Sequence, residues 1–226
     1  MYAKYIKRPL DFCLSLCAVI VLSPVLLILT ILGAIMMKGN PFFTQLRPGK
    51  DEKIFKLIKF RTMTCEKDKD GKLLPDDVRL TKYGKFLRST SLDELPELFN
   101  IIKGDMAVIG PRPQLVRDMV FMTDIQRLRH TVRPGLSGLA QVNGRNAIKW
   151  ENKLAYDLVY IDNITFVGDF KIILKTLIKV FKREDITEDG METAEDLGDY
   201  LLKNGSIDKA TYIENQEYAK ELIEVL

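Results

Sequence analysis

Apolar residues fill an uninterrupted stretch near the N-terminus, from Phe12 to Met37, which contains no charged side chain. As an α-helix, this stretch would be about 39 Å long, which exceeds the ~30 Å hydrocarbon core of a bilayer. It is too long for a signal peptide and lacks the cleavage-site pattern of one. The stretch therefore predicts a membrane-associated helix, with a single transmembrane span as its default form.

Two features of the stretch argue against a plain span. Ser23 and Pro24 lie near its middle, where a proline removes a hydrogen bond of the helical ladder and a serine can satisfy the freed carbonyl. Basic flanks prefer the cytoplasm, and both flanks are basic: Lys4, Lys7 and Arg8 before the stretch, Lys38, Arg47, Lys50 and Lys53 after it. We therefore expect a re-entrant hairpin over residues 1–38, broken at Ser23-Pro24; a span is the alternative. A buried core helix fits less well, because no other segment is apolar enough to surround it.

The rest of the chain alternates between short strands and amphipathic helices. Residues 54–61 partly alternate between apolar and polar side chains and predict a strand. The polar residues 66–77 predict an exposed loop, and a short apolar strand is expected before Gly110-Pro111. Apolar residues at helical spacing predict three helices, over 114–131, 150–160 and 170–181. These elements predict an α/β domain over residues 39–183 that is mostly helical and has a small, short-stranded sheet.

The formal net charge of +3 conceals an asymmetry between the two parts of the chain. Residues 184–226 contain about thirteen acidic and three basic side chains, so the tail carries about −10 and the remaining chain about +13. The basic part suits an anionic partner such as a membrane surface, a nucleotide or a phosphate. In the helix expected over 170–181, lysines recur at helical spacing, which fits a membrane interface and an ordinary surface helix equally well: Lys171, Lys175, Lys179 and Lys182.

The acidic tail, residues 184–226, is expected to contain two short helices around Asn204-Gly205, over 193–203 and 206–226. It shows no catalytic motif. We interpret it as an appended helical module for regulation or partner contact.

The candidate chemistry centres on two adjacent carboxylates, Asp93 and Glu94. Apolar residues recur around them at helical spacing, and Pro96 favours a helix that begins close to Asp93. Ser91 with Glu94 also fits a capping box. Both patterns place the carboxylates at a helix N-terminus, where the helix dipole favours their ionised form. The alternative is that they only cap this helix.

Residue counts exclude several kinds of site. The three cysteines form no close pair with a histidine, which disfavours a zinc site or a disulfide framework. His130 is the single histidine, so a multi-histidine metal site is excluded. A catalytic triad would have to use this one residue. Because it lies in a basic run, we expect a solvated or phosphate-facing side chain. Any catalysis must then be carried by carboxylates and cations.

Several cations could bind a substrate phosphate. Lys59 and Arg61 end the strand predicted over 54–61, where a solvated edge is the alternative. Arg112 lies in a rigid Gly-Pro-Arg-Pro turn without a local carboxylate, and a guanidinium can bind phosphate oxygens bidentately. Arg145 follows a glycine-rich segment, although this segment has no Walker or dinucleotide-binding pattern. For Arg61 and Arg145, salt bridges to Asp105 or Asp157 are the competing interpretation.

In these motifs the chain resembles the bacterial sugar transferases, and among them the small monotopic polyprenyl-phosphate phosphoglycosyl transferases. The resemblance runs from about residue 4 to 183. It is carried in order by Lys7-Arg8-Pro9-Leu10-Asp11, Ser23-Pro24, Lys59-Phe60-Arg61-Thr62-Met63, Ser91-Leu92-Asp93-Glu94-Leu95-Pro96, Lys103-Gly104-Asp105-Met106, Gly110-Pro111-Arg112-Pro113, Arg133-Pro134-Gly135-Leu136-Ser137-Gly138 and Gln141-Val142-Asn143-Gly144-Arg145.

The resemblance implies transfer of a sugar 1-phosphate from a UDP-sugar to polyprenyl (undecaprenyl) phosphate, with release of UMP. It implies Mg²⁺ as cofactor, held by Asp93 and Glu94, and a covalent phospho-sugar intermediate on Asp93. The expected contacts of the substrate phosphates and nucleotide are Lys59, Arg61, Arg88, Pro111, Arg112 and Arg145. We expect the catalytic domain on the cytoplasmic face of a bacterial inner membrane, with downstream glycosyltransferases as possible partners and no nucleic acid. A non-catalytic membrane scaffold and direct transfer without an intermediate are the alternatives.

Overall fold

A computed structural model describes residues 1–144, 148–182 and 195–224 of the chain. The helices are α1 (Lys7–Met36), α2 (Asp76–Arg79), α3 (Lys82–Thr90), α4 (Glu97–Lys103), α5 (Val116–Met119), α6 (Asp124–Arg127), α7 (Leu139–Val142), α8 (Trp150–Asp162), α9 (Phe166–Lys182), α10 (Leu197–Lys203) and α11 (Lys209–Glu224). The strands are β1 (Phe42–Pro48), β2 (Ile54–Phe60), β3 (Ala107–Ile109) and β4 (Gly135–Ser137). The expectation of a mostly helical fold with short strands is confirmed.

Helix α1 continues without interruption through Pro24. The Ser23 hydroxyl donates to the carbonyl of Ile20 at 2.8 Å. That carbonyl is four residues before Pro24 and is the one that the missing proline N–H leaves free. The expected break of the helix at Ser23-Pro24 is therefore wrong: only one ladder bond is lost there, the serine hydroxyl replaces it, and the helix continues to Met36.

Helix α1 is attached to the rest of the fold near both of its ends. Near the N-terminus, Lys7 Nζ lies 2.6 Å from Asp169 Oδ2. Toward the C-terminus, the Tyr83 hydroxyl donates to the carbonyl of Leu29 at 2.9 Å, and Gly33 packs against Pro41. The outer faces of α1 are apolar and exposed, as at Ile20, Val21, Leu27, Ile28, Ile31 and Ile35. Among the described residues, this helix alone is long and apolar enough to cross a membrane.

The strands form two separate two-stranded sheets within the described residues, where one small sheet was expected. β1 and β2 are antiparallel and pair Phe42 with Phe60 and Pro48 with Ile54. β3 and β4 are parallel and pair Ala107 with Gly135. The 46 residues between β2 and β3 include α2, α3 and α4, and β2 packs on α4.

The prediction of a single helix over residues 114–131 is wrong. The chain instead forms α5, α6 and a 3₁₀ turn over Leu128–Thr131. The interruption has a local cause: the Thr123 side chain accepts from the Gln126 N–H, and the Gln126 side chain accepts from the Thr123 N–H. This capping box starts a new helix at Asp124. The helices expected over 150–160 and 170–181 are confirmed as α8 and α9, and α9 begins earlier, at Phe166.

The core next to the candidate carboxylates is formed by β2, α4 and α1. Phe55 and Leu57 of β2 pack with Leu98 and Ile101 of α4, and Val19 of α1 packs against this cluster. Ile101 and Leu57 are 0% and 3% exposed. This packing fixes the positions of the strand that carries Lys59 and of the helix that follows Asp93 and Glu94.

Candidate functional site

Asp93 and Glu94 lie in a 3₁₀ turn, Leu92–Glu94, between α3 and α4. Ser91 ends α3 in the left-handed conformation, with φ 56°. Its side chain makes no capping hydrogen bond, so the capping box expected between Ser91 and Glu94 is wrong. The physical reason is the backbone of Ser91, because a capping residue needs extended φ and ψ to direct its hydroxyl toward the following turn.

Glu94 is bound by two cations. Its Oε1 accepts from Lys59 Nζ at 2.9 Å and from an Nη of Arg112 at 3.0 Å. Burial alone would raise the pKa of Glu94, but the charges of Lys59 and Arg112 outweigh it and hold the pKa well below its usual range. Glu94 is therefore ionised at neutral pH and links β2 to the Gly110–Pro113 turn.

Lys59 also binds a third carboxylate, Glu97, which the sequence analysis did not select. Their Nζ and Oε1 atoms are 3.0 Å apart, and Glu97 is 3% exposed. Burial, offset in part by Lys59 and reinforced by the charge of Glu94, raises the pKa of Glu97 to about 7. A signal was present in the sequence, because Glu97 follows Glu94 by three positions on a predicted helix and so shares its face.

The Asp93 carboxylate is half-buried, and no hydrogen bond or ion pair to it occurs within residues 1–144, 148–182 and 195–224. Burial and the neighbouring charge of Glu94 raise the pKa of Asp93 to about 6, while Lys59, Arg88 and Arg112 lower it. The expected effect of a helix N-terminus does not dominate here. At neutral pH Asp93 is still mostly ionised, and its oxygens have no partner among the described residues.

A buried ion pair, Arg129 with Asp157, supports the turn that carries Arg112. Arg129 and Asp157 are 2% and 1% exposed, and Arg129 Nε and Nη2 lie 2.9 Å and 2.7 Å from Asp157 Oδ2. Arg129 Nη2 also donates to the carbonyl of Arg112 at 2.5 Å. Asp157 is thus the partner of Arg129, whereas the sequence had suggested Arg61 or Arg145 as its alternative partners. Asp105 pairs with Lys103 at 3.2 Å.

The structure places the remaining expected phosphate-binding residues at different distances from the carboxylates. Arg88 is close enough for its charge to lower the pKa of Asp93, and its Nε donates to Thr62 at 3.2 Å. Pro111 is buried, and its carbonyl accepts from Gly135 at 2.9 Å. The backbone N–H of Arg61 donates to Pro41, but no contact of its side chain with Asp93 or Glu94 is found within the described chain. Arg145 lies outside the described residues.

The expectation of a solvated or phosphate-facing His130 is wrong. The ring is 5% exposed, and its Nδ1 lies 3.2 Å from Glu52 Oε1. Burial and the charge of Arg129 lower the pKa of His130 to about 4, so it is neutral at pH 7. The ring helps to pack the Arg129–Asp157 pair and does not face Asp93.

The carboxylates are compatible with Mg²⁺, although the described residues contain no group of three metal-ligating side chains. Mg²⁺ is typically bound through one or two carboxylates and completes its octahedron with water and substrate phosphates. Asp93 has oxygens that bind no residue in the part of the chain that the structure describes, and Glu94 uses Oε1 for both of its cations. The donor set therefore fits a metal that is shared with a diphosphate, and it does not fit a closed protein cage.

Comparison with known proteins places this arrangement in a family. The model of the bacterial sugar transferase family matches residues 2–183. The chain belongs to this family. The expected resemblance is therefore confirmed, and the matched residues include Lys59, Asp93, Glu94 and Arg112.

Bacterial sugar transferases with similar sequences include both short and long chains. An uncharacterized sugar transferase, EpsL, from Bacillus subtilis is 48% identical over 174 residues, which cover 76% of this chain and 86% of EpsL. A UDP-glucose:undecaprenyl-phosphate glucose-1-phosphate transferase from Klebsiella pneumoniae is 43% identical over 185 residues, which cover 77% of this chain. An Escherichia coli protein of the same name is 37% identical over 188 residues. This chain spans only about 40% of the length of the latter two relatives. Their names agree with the expected enzyme class.

Proposed function

We propose that this protein transfers a sugar 1-phosphate from a UDP-sugar to polyprenyl phosphate and releases UMP, as the first membrane step of glycan assembly. The observation that carries the proposal is the contrast between two adjacent carboxylates. Glu94 is bound by Lys59 and Arg112, whereas no described residue binds Asp93. The names of relatives at 43% and 37% identity support the same donor and acceptor classes.

In the proposed reaction, an oxygen of Asp93 attacks the phosphorus that bears the sugar. The bond between this phosphorus and the bridging oxygen breaks, and UMP leaves with the electron pair. An oxygen of polyprenyl phosphate then attacks the same phosphorus, which releases the Asp93 carboxylate and forms the sugar-diphosphate lipid. A carboxylate that is mostly ionised and that no described residue binds is suited to the first attack.

Repulsion between Asp93 and the diphosphate is the main obstacle to this step. Lys59 and Arg112 lie around the neighbouring Glu94, and Arg88 is near enough to act on the charge of Asp93. Such fixed cations stabilise the charge that develops on the phosphate oxygens, and one donor typically contributes about 3 kcal/mol. Mg²⁺ would be held by Asp93 and Glu94 and would supply further neutralisation of the diphosphate.

We further propose that α1 is re-entrant and that the catalytic domain lies on the cytoplasmic face. Lys7 near one end of α1 and Leu29 and Gly33 toward the other contact the same folded domain. A helix that spans a bilayer with this domain on one side would lose the contacts at one of its ends. The basic residues on both flanks favour the cytoplasm. Exposed apolar residues on α9, including Phe170, Leu174 and Leu177, support membrane contact beside α1.

Topology can be tested in intact cells with single-cysteine variants. The native Cys13, Cys17 and Cys65 are exposed and would first be replaced by serine. A cysteine at position 1 or at position 39 should then resist a membrane-impermeant maleimide applied from outside, and both should react after permeabilisation. Labelling of either position from outside in intact cells would rule out the re-entrant arrangement.

The function itself is tested by release of UMP from a panel of UDP-sugars in detergent, with undecaprenyl phosphate and Mg²⁺. We expect one UDP-sugar to release UMP, and we expect Asp93→Asn to reduce this rate to background while the thermal midpoint changes little. A purified, folded protein that releases no UMP from any sugar nucleotide above the Asp93→Asn control would refute the proposal. That outcome would favour the non-catalytic scaffold.

A further inference from the structure

The C-terminal helices α10 and α11 lie beyond the residues that match the family model, yet they are packed on the domain. Both contact α5. Leu197 and Ala219 are 3% and 2% exposed. Tyr212 stacks on Phe121 with ring centroids 5.7 Å apart. These contacts show that the appended helices pack directly against the domain.

One buried carboxylate joins α10 to α5. Asp118 is 2% exposed, and its Oδ2 accepts from the Leu115 N–H at 3.0 Å while its Oδ1 accepts from the Leu197 N–H at 2.9 Å. Each of these N–H groups belongs to the start of a helix and has no partner inside that helix. Because both oxygens are used, Asp118 fixes the start of α10 relative to the start of α5.

Further polar contacts hold the same interface on either side of Asp118. Arg117 lies 2.6 Å from Asp196. The Trp150 indole N–H donates to the carbonyl of Glu195 at 3.0 Å, and the Tyr200 hydroxyl donates to Glu151 at 2.9 Å. The segment from residue 195 to Tyr200 is thereby tied to both α5 and the first turn of α8.

Helix α5 is also directly connected to the candidate site. Only two residues separate Pro113 from Val116, the first residue of α5. The carbonyl of Pro113 accepts from Arg47 at 3.0 Å, and Arg112 in the same turn donates to Glu94 at 3.0 Å. A shift of α5 would therefore be transmitted to Arg112 through a very short piece of chain.

We propose that the C-terminal helices act as a positioning element, in which Asp118 couples their docking to the turn that carries Arg112. This inference rests on the proposed function of Arg112 as a cation for the substrate diphosphate. Arg112 contacts Glu94 and would contact substrate, whereas Asp118 and the tail act through it. Loss of docking should then impair use of the UDP-sugar without removing any residue of the site.

A substitution in the tail itself can test this coupling. A Cβ at Gly198 would lie 2.5 Å from the Phe121 ring, so Gly198→Val in the full chain should displace α10. Ala210→Val adds bulk at an exposed position of α11 and serves as the matched control. We expect Gly198→Val to lower kcat/KM for the UDP-sugar at least tenfold, since a displacement of about 1 Å in a catalytic group can cost that much. Ala210→Val should change it less than twofold.

A double-mutant cycle distinguishes coupling through Arg112 from general destabilisation. In an Arg112→Lys background, Gly198→Val should lower kcat/KM less than threefold, because the positioned group is already altered. An equal tenfold loss in both backgrounds, or no loss in either, would overturn the proposal. If wild type releases UMP and only the cycle fails, the proposed function stands and this inference falls.

Hydrogen exchange provides a readout that does not depend on activity. Peptides covering residues 112–119 should exchange faster in Gly198→Val than in wild type or Ala210→Val, while peptides from β1 and β2 should be unchanged. Asp118→Asn leaves one acceptor oxygen in place of two and should increase exchange in the same peptides. Unchanged exchange over residues 112–119 in both variants would refute the coupling, even if the enzyme assay detected no activity.

Discussion

Lys59 Nζ lies 3.0 Å from Oε1 of Glu97, and the same nitrogen lies 2.9 Å from Glu94. One lysine therefore binds two glutamates, the partly exposed Glu94 and the buried Glu97. Glu94 has a second cation in Arg112, whereas Glu97 has Lys59 alone among the ion pairs of the described chain. This difference explains why the pKa of Glu94 is lowered while that of Glu97 is raised to about 7. The two carboxylates differ in protonation near neutral pH although they share a partner.

Glu97→Gln should change the pH dependence of stability. Because the folded-state pKa of Glu97 is about 7, above the usual value of 4.5, its contribution to stability is complete below about pH 4.5 and is lost as pH rises through 7. The free energy of unfolding of wild type minus that of Glu97→Gln should fall by on the order of 2 kcal/mol between pH 5 and pH 8. Unfolding in detergent without Mg²⁺ measures this. A difference that stays constant or rises over this interval would contradict the assignment.

Lys59→Met should be both unstable and inactive. It leaves Glu94 with one cation and Glu97 with none, and a buried carboxylate without its partner either protonates or destabilises the fold. We expect the free energy of unfolding to fall by about 2 kcal/mol and the rate of UMP release to fall at least about 100-fold. Lys56→Met, at an exposed position of the same strand, is the control and should change neither. Thermal unfolding and the UMP assay on the same preparations separate the two effects.

Asp157→Asn should weaken the support of the Arg112 turn. The substitution keeps the volume of the side chain but removes the charge that faces the buried Arg129, which also holds the Arg112 carbonyl. We expect stability to fall by about 3 kcal/mol. Asp162→Asn, at an exposed position of the same helix, should have no measurable effect on the unfolding midpoint. Equal midpoints for the two variants would argue against a structural role of the buried pair.

Arg112→Ala and Arg61→Ala should have unequal effects on catalysis. Arg112 binds Glu94, whereas the Arg61 side chain makes no described contact with either carboxylate. We expect Arg112→Ala to lower kcat/KM for the UDP-sugar by about 100-fold and Arg61→Ala by less than tenfold. Steady-state kinetics measure both. A larger loss in Arg61→Ala than in Arg112→Ala would contradict this ranking of the two arginines.

Local patterns in the sequence predicted the elements whose signals are themselves local. Periodicity predicted β2, α8 and α9. The uninterrupted apolar stretch predicted the length and apolar character of α1. The serine hydroxyl that replaces the missing bond at Pro24 also follows from the chemistry of the two neighbouring residues. The interruption between α5 and α6 was missed, although the capping box at Thr123 and Gln126 was a readable local signal.

Contacts between distant segments were much harder to predict. The sequence identified Lys59, Asp93, Glu94 and Arg112 as candidates, but not that Lys59 would contact Glu97 as well. The pairing of Asp157 with Arg129 was not among the alternatives, because the two residues are 28 positions apart and meet only through the packing of α8. His130 was expected to be solvated because its sequence neighbours are basic, yet it is buried against Glu52, 78 positions away.

Trapping the phospho-sugar on the protein tests the central claim most directly. Wild-type protein would be mixed with a labelled UDP-sugar and Mg²⁺ without polyprenyl phosphate, quenched in acid and analysed by intact and peptide mass spectrometry. We predict one added sugar phosphate, localised to the peptide with Asp93, released by polyprenyl phosphate and absent in Asp93→Asn. Turnover by wild type with no adduct at any time point, or with an adduct on another residue, would contradict the account.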